Sequence, residues 1–252
     1  MNLLTRSVPL FLLVTLFATP ASPQQKATHP LGSFEWQPAN DGILISASHG
    51  TFDRNTAAIA IDAARRLKAG YVVARGFSPG VRINVNRPTE GASLPCAQEP
   101  QTTRAREIHA EYDRLVALAA GNAPLRLYME VHGNSRKETS GNLEVATKGI
   151  LVNEAAALKS TYAEVLAAVK AEWPDYPALQ LLIEPVDRLY WTASCGKRLG
   201  TMAGEKVPRV LHFEFPAAAR ADRLIPAAGL LVAGVIEVLS LHSGPAPSPA
   251  VK

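Results

Sequence analysis

The sequence lacks several features that mark other classes of protein. Its 252 residues contain 26 lysines and arginines against 22 acidic residues, and the cations are scattered rather than gathered in runs. A nucleic-acid-binding surface needs a dense basic face, so nucleic acid is not expected as the main partner. The Gly-x-Ser-x-Gly match at Gly76-Phe77-Ser78-Pro79-Gly80 is typical of a turn and not of a strand-to-helix elbow, which argues against a serine hydrolase of that type. No internal repeat or linker-like stretch divides the chain.

A bilayer-spanning run is also missing, although the N-terminus is strongly apolar. The run at residues 8–17 is preceded by Arg6 and followed by the small residues of Thr19-Pro20-Ala21. This pattern is typical of a secretory signal peptide cleaved near Ala21, and the run is too short to span a bilayer comfortably. We therefore expect a soluble exported protein, with a Gram-negative periplasm as the first choice of compartment. Removal of the leader takes one positive charge from the formal net charge of +4.

Cysteine is scarce, with Cys96 and Cys195 as the only two. In an exported protein two cysteines often form one disulfide, which here would tie a loop of the first half to a loop of the second. The alternative is two free thiols. Spacing along the chain does not decide between them, because a bridge needs Cα atoms within about 7 Å of each other.

Strand and helix patterns alternate across residues 41–242, the predicted catalytic domain. The first three elements, a strand at 43–47, a helix at 54–68 and a strand at 71–74, form a βαβ unit that favours a parallel pair. Further helices are predicted at 103–120, at 154–172 and from Pro226, and further strands at 125–131, 149–152, 179–184 and 209–215. The alternation predicts a single α/β domain, with one mostly parallel, mixed sheet and helices on both faces.

The remaining segments are weakly patterned. Residues 22–40 are predicted to form an N-terminal arm or an edge segment, and residues 243–252 a disordered tail. Loops are predicted at 89–101, at 135–147 and at 188–207. The last of these is long for a compact domain, and loops of that length are often functional.

Two predicted strands end in a histidine followed by a glycine, at His49 and at His132. Ligands of open α/β sheets bind beyond the carboxyl ends of the strands, so both imidazoles are expected over one crevice. A catalytic zinc needs about three protein ligands, and Asp53 is the nearest carboxylate for the third. One helical turn places Asp53 on the same side as His49. Asp53 is equally well placed to cap the following helix, and the sequence leaves both interpretations open.

A third strand ends in His212-Phe213-Glu214-Phe215. Alternation places His212 and Glu214 on one face of this strand and the two phenylalanines on the other. A carboxylate walled by apolar side chains can have a raised pKa and act as a general base, whereas a solvated edge glutamate would not. His212 is expected to be a neighbour of the site rather than a ligand.

Substrate binding is assigned to Asn86-Arg87-Pro88. Arg87 can bind a carboxylate through two parallel hydrogen bonds, and Asn86 can donate beside it. The alternative is a turn with a solvent-facing arginine. Arg54 and Arg136 lie close in sequence to proposed ligands and are weaker candidates for polarising a scissile carbonyl.

The order of these motifs resembles the N-formylglutamate amidohydrolase family, and is similar to the wider zinc carboxypeptidase and aspartoacylase-type group. The motifs are His-Gly, Val-Asn-Arg-Pro, Glu-Val-His-Gly and Phe-Glu-Phe, between residues 43 and 216. The resemblance implies a phosphorylase/hydrolase-like α/β fold that holds a single zinc ion. It matches His49 and His132 with the family's two histidine ligands, and Glu214 with its catalytic glutamate.

The resemblance also matches Asn86 and Arg87 with the group that holds the substrate carboxylate. The first motif departs from the pattern of the carboxypeptidase relatives, which have a glutamate three residues after the first histidine. Phe52 occupies that position here, and Asp53 must stand in as the third ligand.

These expectations combine into one functional hypothesis. The protein is expected to be an exported zinc-dependent amidohydrolase, carboxypeptidase-like, that cleaves an amide bond next to a substrate carboxylate. An N-acyl amino acid, a γ-glutamyl chain or a cell-wall peptide would fit, and the mild basicity suits such anionic substrates. The alternative is a non-catalytic periplasmic binding or scaffold protein on the same fold, with a degraded metal site.

Overall fold

The computed structural model describes residues 23–92, 95–121, 124–205 and 207–242, and only the backbone of residues 240–242. The predicted signal peptide at residues 1–21 and the predicted tail at 243–252 lie outside the described residues. Among the helices of the described ranges, none is both long enough and apolar enough to cross a membrane.

The described chain forms an eight-stranded mixed sheet, a separate two-stranded hairpin and five α-helices. The strands are β1 (Gln25–His29), β2 (Gly32–Gln37), β3 (Ile43–Ala47), β4 (Gly70–Gly76), β5 (Ile83–Asn84), β6 (Thr89–Glu90), β7 (Leu127–Asn134), β8 (Asn142–Lys148), β9 (Gln180–Ile183) and β10 (Val210–Pro216). The helices are α1 (Thr56–Leu67), α2 (Thr103–Ala119), α3 (Val152–Glu172), α4 (Ser194–Leu199) and α5 (Ile225–His242).

The centre of the large sheet is parallel, and antiparallel pairs join it to the strands on either side. The strand order is β1-β2-β4-β3-β7-β10-β8-β9, and β4, β3, β7 and β10 run in parallel. The β1–β2 hairpin pairs antiparallel with β4, and β8 pairs antiparallel with β10. The expected mixed, mostly parallel sheet of a single α/β domain is thus confirmed. The arrangement brings the carboxyl ends of β3, β7 and β10 to one edge.

Two cores cover the two faces of the sheet. One is built with α1, α3 and α5, and the other with α2. Alternation along β7 separates them: Met129 and Val131 enter the first core, whereas Tyr128 points to the α2 side. Glu130 and His132 have the same parity as Tyr128, so the polar residues of β7 share the α2 face.

The predicted polar loop at 135–147 is wrong in its second half, where β8 lies. Leu143 and Val145 are buried in the α3 side of the core, and Glu144 between them is buried on the opposite face. The two apolar residues follow the period of a strand, but the polar residues around them hide the pattern.

The predicted strand at 149–152 is also wrong. Gly149 has a φ of +67° and makes a turn, and α3 begins at Val152. A side chain at Gly149 would meet the carbonyl oxygen of Pro208 at 2.1 Å, so the turn requires glycine. The Leu151 backbone N–H donates to Glu154 Oε2 at 2.8 Å, which begins the helix at this point.

Other boundaries differ more subtly. Residues 25–37 form the edge hairpin, as expected for an edge segment. The strand predicted at 125–131 extends to Asn134, so His132 lies within β7 rather than after it. The predicted irregular loop at 188–207 contains α4.

Cys96 and Cys195 form a disulfide with a Cα–Cα distance of 5.4 Å. This decides between the two alternatives that the sequence left open. The bond joins the loop after β6 to the first turn of α4, and these two segments wall the same cleft.

Candidate metal centre

His49, Asp53 and His132 converge at the carboxyl edge of the sheet. The Asp53 Oδ2 atom lies 3.5 Å from His49 Nδ1 and 3.3 Å from His132 Nδ1. The Asp53 backbone N–H donates to the His49 carbonyl oxygen at 2.8 Å, which closes one tight turn and brings the two side chains to the same side. His132 arrives from the neighbouring parallel strand, and the two imidazole rings lie edge to face at 4.8 Å.

These distances suit a metal ion. A tetrahedral zinc site with bonds of about 2.0–2.1 Å separates neighbouring donor atoms by about 3.3–3.4 Å. The two Nδ1–Oδ2 separations of 3.3 and 3.5 Å match that spacing. Two imidazole nitrogens and one carboxylate oxygen are also a donor set that zinc commonly uses at catalytic sites. The residues present therefore fit the ion that the sequence suggested.

The Asp53 carboxylate does not cap helix α1. The N-cap residue of α1 is Asn55, with a φ of 72°, and its side chain makes no capping bond. Thr56 donates from its backbone N–H and its hydroxyl to the backbone carbonyl of Asp53, at 3.0 and 2.7 Å. Since the carbonyl does the capping, the carboxylate is left to face the two histidines.

The protonation states in the metal-free protein follow from burial and charge. Burial lowers the pKa of His49 to about 3, so its ring is neutral. Burial also disfavours a charged His132, but hydrogen bonds with Asp53 and Glu130 outweigh it and raise the pKa of His132 to about 10. Burial would raise the pKa of Asp53, yet its contacts with both histidines hold that pKa well below its ordinary value. His132 is therefore an imidazolium between two carboxylates.

Glu130 is a member of the site that the sequence-based interpretation missed. It is fully buried, and its Oε2 atom accepts from His132 Nε2 at 2.9 Å and from Asn86 Nδ2 at 2.8 Å. The hydroxyl of Tyr128 donates to Oε1 at 2.7 Å, and His212 Nδ1 lies 3.3 Å from Oε2. The period of a strand could have found it, because Glu130 lies two residues before His132 and thus on the same face of β7.

The bond between Glu130 and His132 orients the imidazole. With Nε2 held by the carboxylate, Nδ1 is the ring nitrogen that faces Asp53. Metal-ligating histidines commonly bond a carboxylate through the second nitrogen, which fixes the tautomer and the ring orientation. Burial would raise the pKa of Glu130, but its hydrogen bonds with His132 and His212 hold that pKa well below the ordinary value, so it is ionised.

His212 and Glu214 stand beside the cluster on β10. Phe213 and Phe215 are fully buried in the core, as the alternation predicted. His212 stacks on His132 with ring centroids 4.2 Å apart, and its Nε2 lies 3.2 Å from Glu214 Oε1. Glu214 lines the cleft and is 8% exposed.

Arg87 and Asn86 are engaged differently from the sequence-based expectation. Arg87 donates from Nε and Nη2 to the two carboxylate oxygens of Glu99, each at 2.8 Å. Thr89 adds a bond to Glu99 at 2.6 Å. The guanidinium of Arg87, which was expected to bind a substrate carboxylate, thus already binds the carboxylate of Glu99. The amide of Asn86 donates to Glu130.

A cleft of about 700 Å³ opens above the cluster. Its walls include Arg82, Arg136, Tyr190 and Trp191. Arg82 donates to Asn84 Oδ1 at 2.9 Å, and it has no carboxylate within ion-pair distance in the described part of the chain. The Arg136 guanidinium lies 4.3 Å from the centre of the Tyr190 ring, a cation–π contact. The cleft therefore combines guanidinium groups and aromatic surface around the buried polar cluster.

No known family model and no curated protein matches this sequence. Solved structures give weak similarities. A metallo-carboxypeptidase from Burkholderia cenocepacia is 11% identical, with a TM-score of 0.45 over 86% of this chain and 64% of that one. An Agrobacterium tumefaciens gene product is 13% identical, with a TM-score of 0.49 over 82% and 95%. A bacteriophage poly-gamma-glutamate hydrolase is 9% identical, with a TM-score of 0.45 over 86% and 94%.

The chain thus spans less than two thirds of the length of the Burkholderia carboxypeptidase. At these identities and TM-scores, the similarities do not assign an activity to this chain.

Proposed function

We propose that this protein is a zinc-dependent amidohydrolase of the carboxypeptidase-like type. The observation that carries the proposal is the position of Asp53 Oδ2, which lies 3.3–3.5 Å from the Nδ1 atoms of both His49 and His132. These three residues would hold the metal. Zinc bound there would supply Lewis acidity that polarises an amide carbonyl and lowers the pKa of a water molecule to about 7.

Glu214 is the general base in this mechanism. Its carboxylate faces the cleft from the strand next to that of His132 and accepts a proton from the attacking water. The same carboxyl group then delivers the proton to the departing amine nitrogen. The contact between His212 Nε2 and Glu214 Oε1 at 3.2 Å limits how the carboxylate can rotate.

The substrate carries a carboxylate next to the scissile amide, and Arg82 binds it. Arg87, the candidate from the sequence, is committed to Glu99. Arg82 lines the same cleft, and the carboxylates of Asp53 and Glu214 act on its charge, which puts it within electrostatic reach of the reacting groups. N-acyl amino acids, γ-glutamyl chains and cell-wall peptides all present such a carboxylate.

The protein acts outside the cytoplasm, in the periplasm or the external medium. The predicted leader at residues 1–21 supports export. The disulfide between Cys96 and Cys195 adds support, because disulfides persist in oxidising compartments.

The test combines metal analysis with hydrolysis assays on the purified protein. Each chain should bind one zinc ion. At least one member of a panel of N-acyl amino acids and γ-glutamyl peptides should be hydrolysed when zinc is present. His49→Ala should abolish zinc binding, and Glu214→Gln should retain zinc and lose hydrolysis. His29→Ala and Glu237→Gln, which change the same residue types away from the cleft, serve as controls.

Three results would count against the proposal. Failure of the wild-type protein to take up zinc would remove the metal centre. If the wild-type protein takes up zinc and hydrolyses substrate, but Glu214→Gln hydrolyses it equally well, the proposed mechanism is wrong. Zinc uptake without hydrolysis of any member of the panel would favour the non-catalytic binding protein instead.

A further inference from the structure

Arg220 is a buried arginine that donates to three separate backbone carbonyls. Its Nε donates to the Phe215 carbonyl at 3.2 Å, and one Nη donates to the Asn134 carbonyl at 3.1 Å. The other Nη donates to the carbonyl of Arg54. The side chain is 6% exposed, so these bonds form in a largely water-free environment.

Each acceptor belongs to a segment that carries a residue of the candidate site. Arg54 follows Asp53 directly, Asn134 lies two residues beyond His132, and Phe215 follows Glu214. Asn134 and Phe215 lie at the ends of β7 and β10, which remain paired up to this point. Arg54 lies in the turn beyond β3, outside the sheet ladder. One guanidinium thus joins the turn that holds the carboxylate ligand to the strand ends that hold a histidine and the general base.

Gly133 records the close approach of this guanidinium. A Cβ atom at position 133 would lie 2.2 Å from Arg220 Cζ and 2.4 Å from Arg220 Nε. The φ of Gly133 lies outside the left-handed region, so the backbone itself would accept an alanine. The absence of a side chain after His132 is therefore explained by the position of Arg220 and not by backbone conformation.

The charge of Arg220 has no ion-pair partner within 4 Å in the described part of the chain. The carboxylates of Asp53 and Glu214 act on it from a longer distance. An arginine provides five donors in a planar fork, which suits three carbonyls from different directions, whereas a lysine is a point charge on a flexible stem. The guanidinium of Arg220 is thus suited by its shape to the three carbonyls, and its charge interacts with two carboxylates of the candidate site.

We propose that Arg220 is a positioning residue, which sets the distance between Asp53 and His132 and thereby the affinity of the metal centre. The proposal rests on the metal centre put forward above. Among the described residues, the side-chain hydrogen bonds of Arg220 go to backbone carbonyls and not to the proposed ligands, and Arg220 is not among the residues that line the cleft above them. It therefore acts through the backbone of the three segments. A purely structural role would stabilise the fold without changing metal affinity in the folded protein.

The experiment measures zinc affinity by competition with a chromophoric chelator, on the full chain and on variants that fold. Arg220→Gln and Arg220→Lys should each weaken zinc binding by roughly 10- to 100-fold, the range typical of residues that orient metal ligands. Arg223→Gln is the matched control, because Arg223 is exposed and bonds Asp175 at the surface. Circular dichroism and the thermal midpoint of the metal-free variants report the fold separately.

A chemical rescue separates positioning from general stability. Arg220 lines a second cavity of about 640 Å³ with Phe52, Arg54 and Ser135, so a small cation can reach the space that Arg220→Ala would leave. Methylguanidinium should restore part of the zinc affinity of Arg220→Ala, and methylammonium at the same concentration should not. If Arg220→Ala fails to fold, Gly133→Ala tests the same contact, because its Cβ displaces the guanidinium and should weaken zinc binding in the same direction.

Zinc affinity within twofold of wild type in folded Arg220→Gln, or in folded Gly133→Ala, would overturn the inference. Rescue by both cations alike would overturn it as well. A wild-type protein that binds no zinc would instead refute the proposed metal centre, so the two failures are distinguishable.

Discussion

Glu130 accepts a hydrogen bond from the Nε2 atom of His132 at 2.9 Å, and both side chains are buried. The bond leaves Nδ1 of His132 facing Asp53 Oδ2, as a metal ligand would require. Glu130 is itself held by the hydroxyl of Tyr128 and the amide of Asn86. The orientation of one candidate ligand therefore depends on a network that reaches into the α2 side of the core.

Glu130→Gln tests that dependence. An amide oxygen can still accept from His132 Nε2, but the negative charge that favours the bond is lost. We expect zinc affinity to fall by roughly 10- to 100-fold, as for other partners of metal-ligating histidines. Chelator competition gives the affinity, with Glu237→Gln on the exposed face of α5 as the matched control. Unchanged affinity in the folded variant would show that the carboxylate does not orient His132.

Zinc binding should release about one proton near pH 6. His132 is protonated in the metal-free protein, because its pKa is raised to about 10, whereas a ligand imidazole must give up the proton on its coordinating nitrogen. His49 is already neutral, since its pKa is lowered to about 3, and contributes no proton there. Affinity should therefore rise with pH, by about tenfold per unit for a single released proton, up to the pKa of about 7 expected for zinc-bound water.

Calorimetry in two buffers of different ionisation enthalpy measures that proton directly. Working near pH 6 keeps the measurement below the pKa of about 7 expected for water activated by zinc. Equal heats in both buffers would mean that no proton is released, and would contradict the imidazolium state of His132.

Arg82→Met should impair recognition of the substrate carboxylate. A hydrogen bond to a charged group contributes about 1.5–3 kcal/mol, so KM for a substrate with a free carboxylate should rise by roughly 10- to 150-fold. The corresponding substrate amide should lose little, because it lacks the charge that Arg82 binds. Arg188→Met changes an exposed arginine of the loop at 188–193 and serves as the control. An equal loss on both substrates would exclude Arg82 as the carboxylate anchor.

Much of this arrangement could be predicted from residue patterns, and the rest depends on contacts that no local pattern encodes. His49, His132 and Glu214 all lie at the ends of apolar strands, and parallel neighbours place such ends at one edge. The i, i+4 spacing of His49 and Asp53 indicated a common side, and the turn between them forms that way. Glu130 could also have been predicted, because the alternation that places His212 and Glu214 on one face of their strand places Glu130 and His132 on one face of β7.

The partner of Arg87 could not be predicted in the same way. Glu99 lies twelve residues further on, in a loop that has no periodicity and is fixed by the β5–β6 hairpin and the disulfide at Cys96. The side chain of Arg220 likewise meets carbonyls of three segments that are far apart in the sequence. Pairings of this kind are set by tertiary packing, and the position of an arginine in the sequence does not indicate which group accepts its hydrogen bonds.

The pair formed by Arg87 and Glu99 gives the last prediction, which concerns stability rather than binding. Both side chains are buried, with 10% and 1% exposure, so removal of one charge leaves the other buried and unpaired in a medium of low dielectric constant. Arg87→Met should lower the free energy of unfolding by about 3–5 kcal/mol. The double variant Arg87→Met/Glu99→Met should recover much of that loss, because two apolar side chains need no mutual charge compensation. Urea unfolding of the metal-free protein measures both, and equal destabilisation by the single and double variants would show that the pair is not the source of the effect. If Arg87 were instead a free anchor for substrate, Arg87→Met would leave the unfolding free energy close to that of wild type and raise KM, which is the opposite pattern.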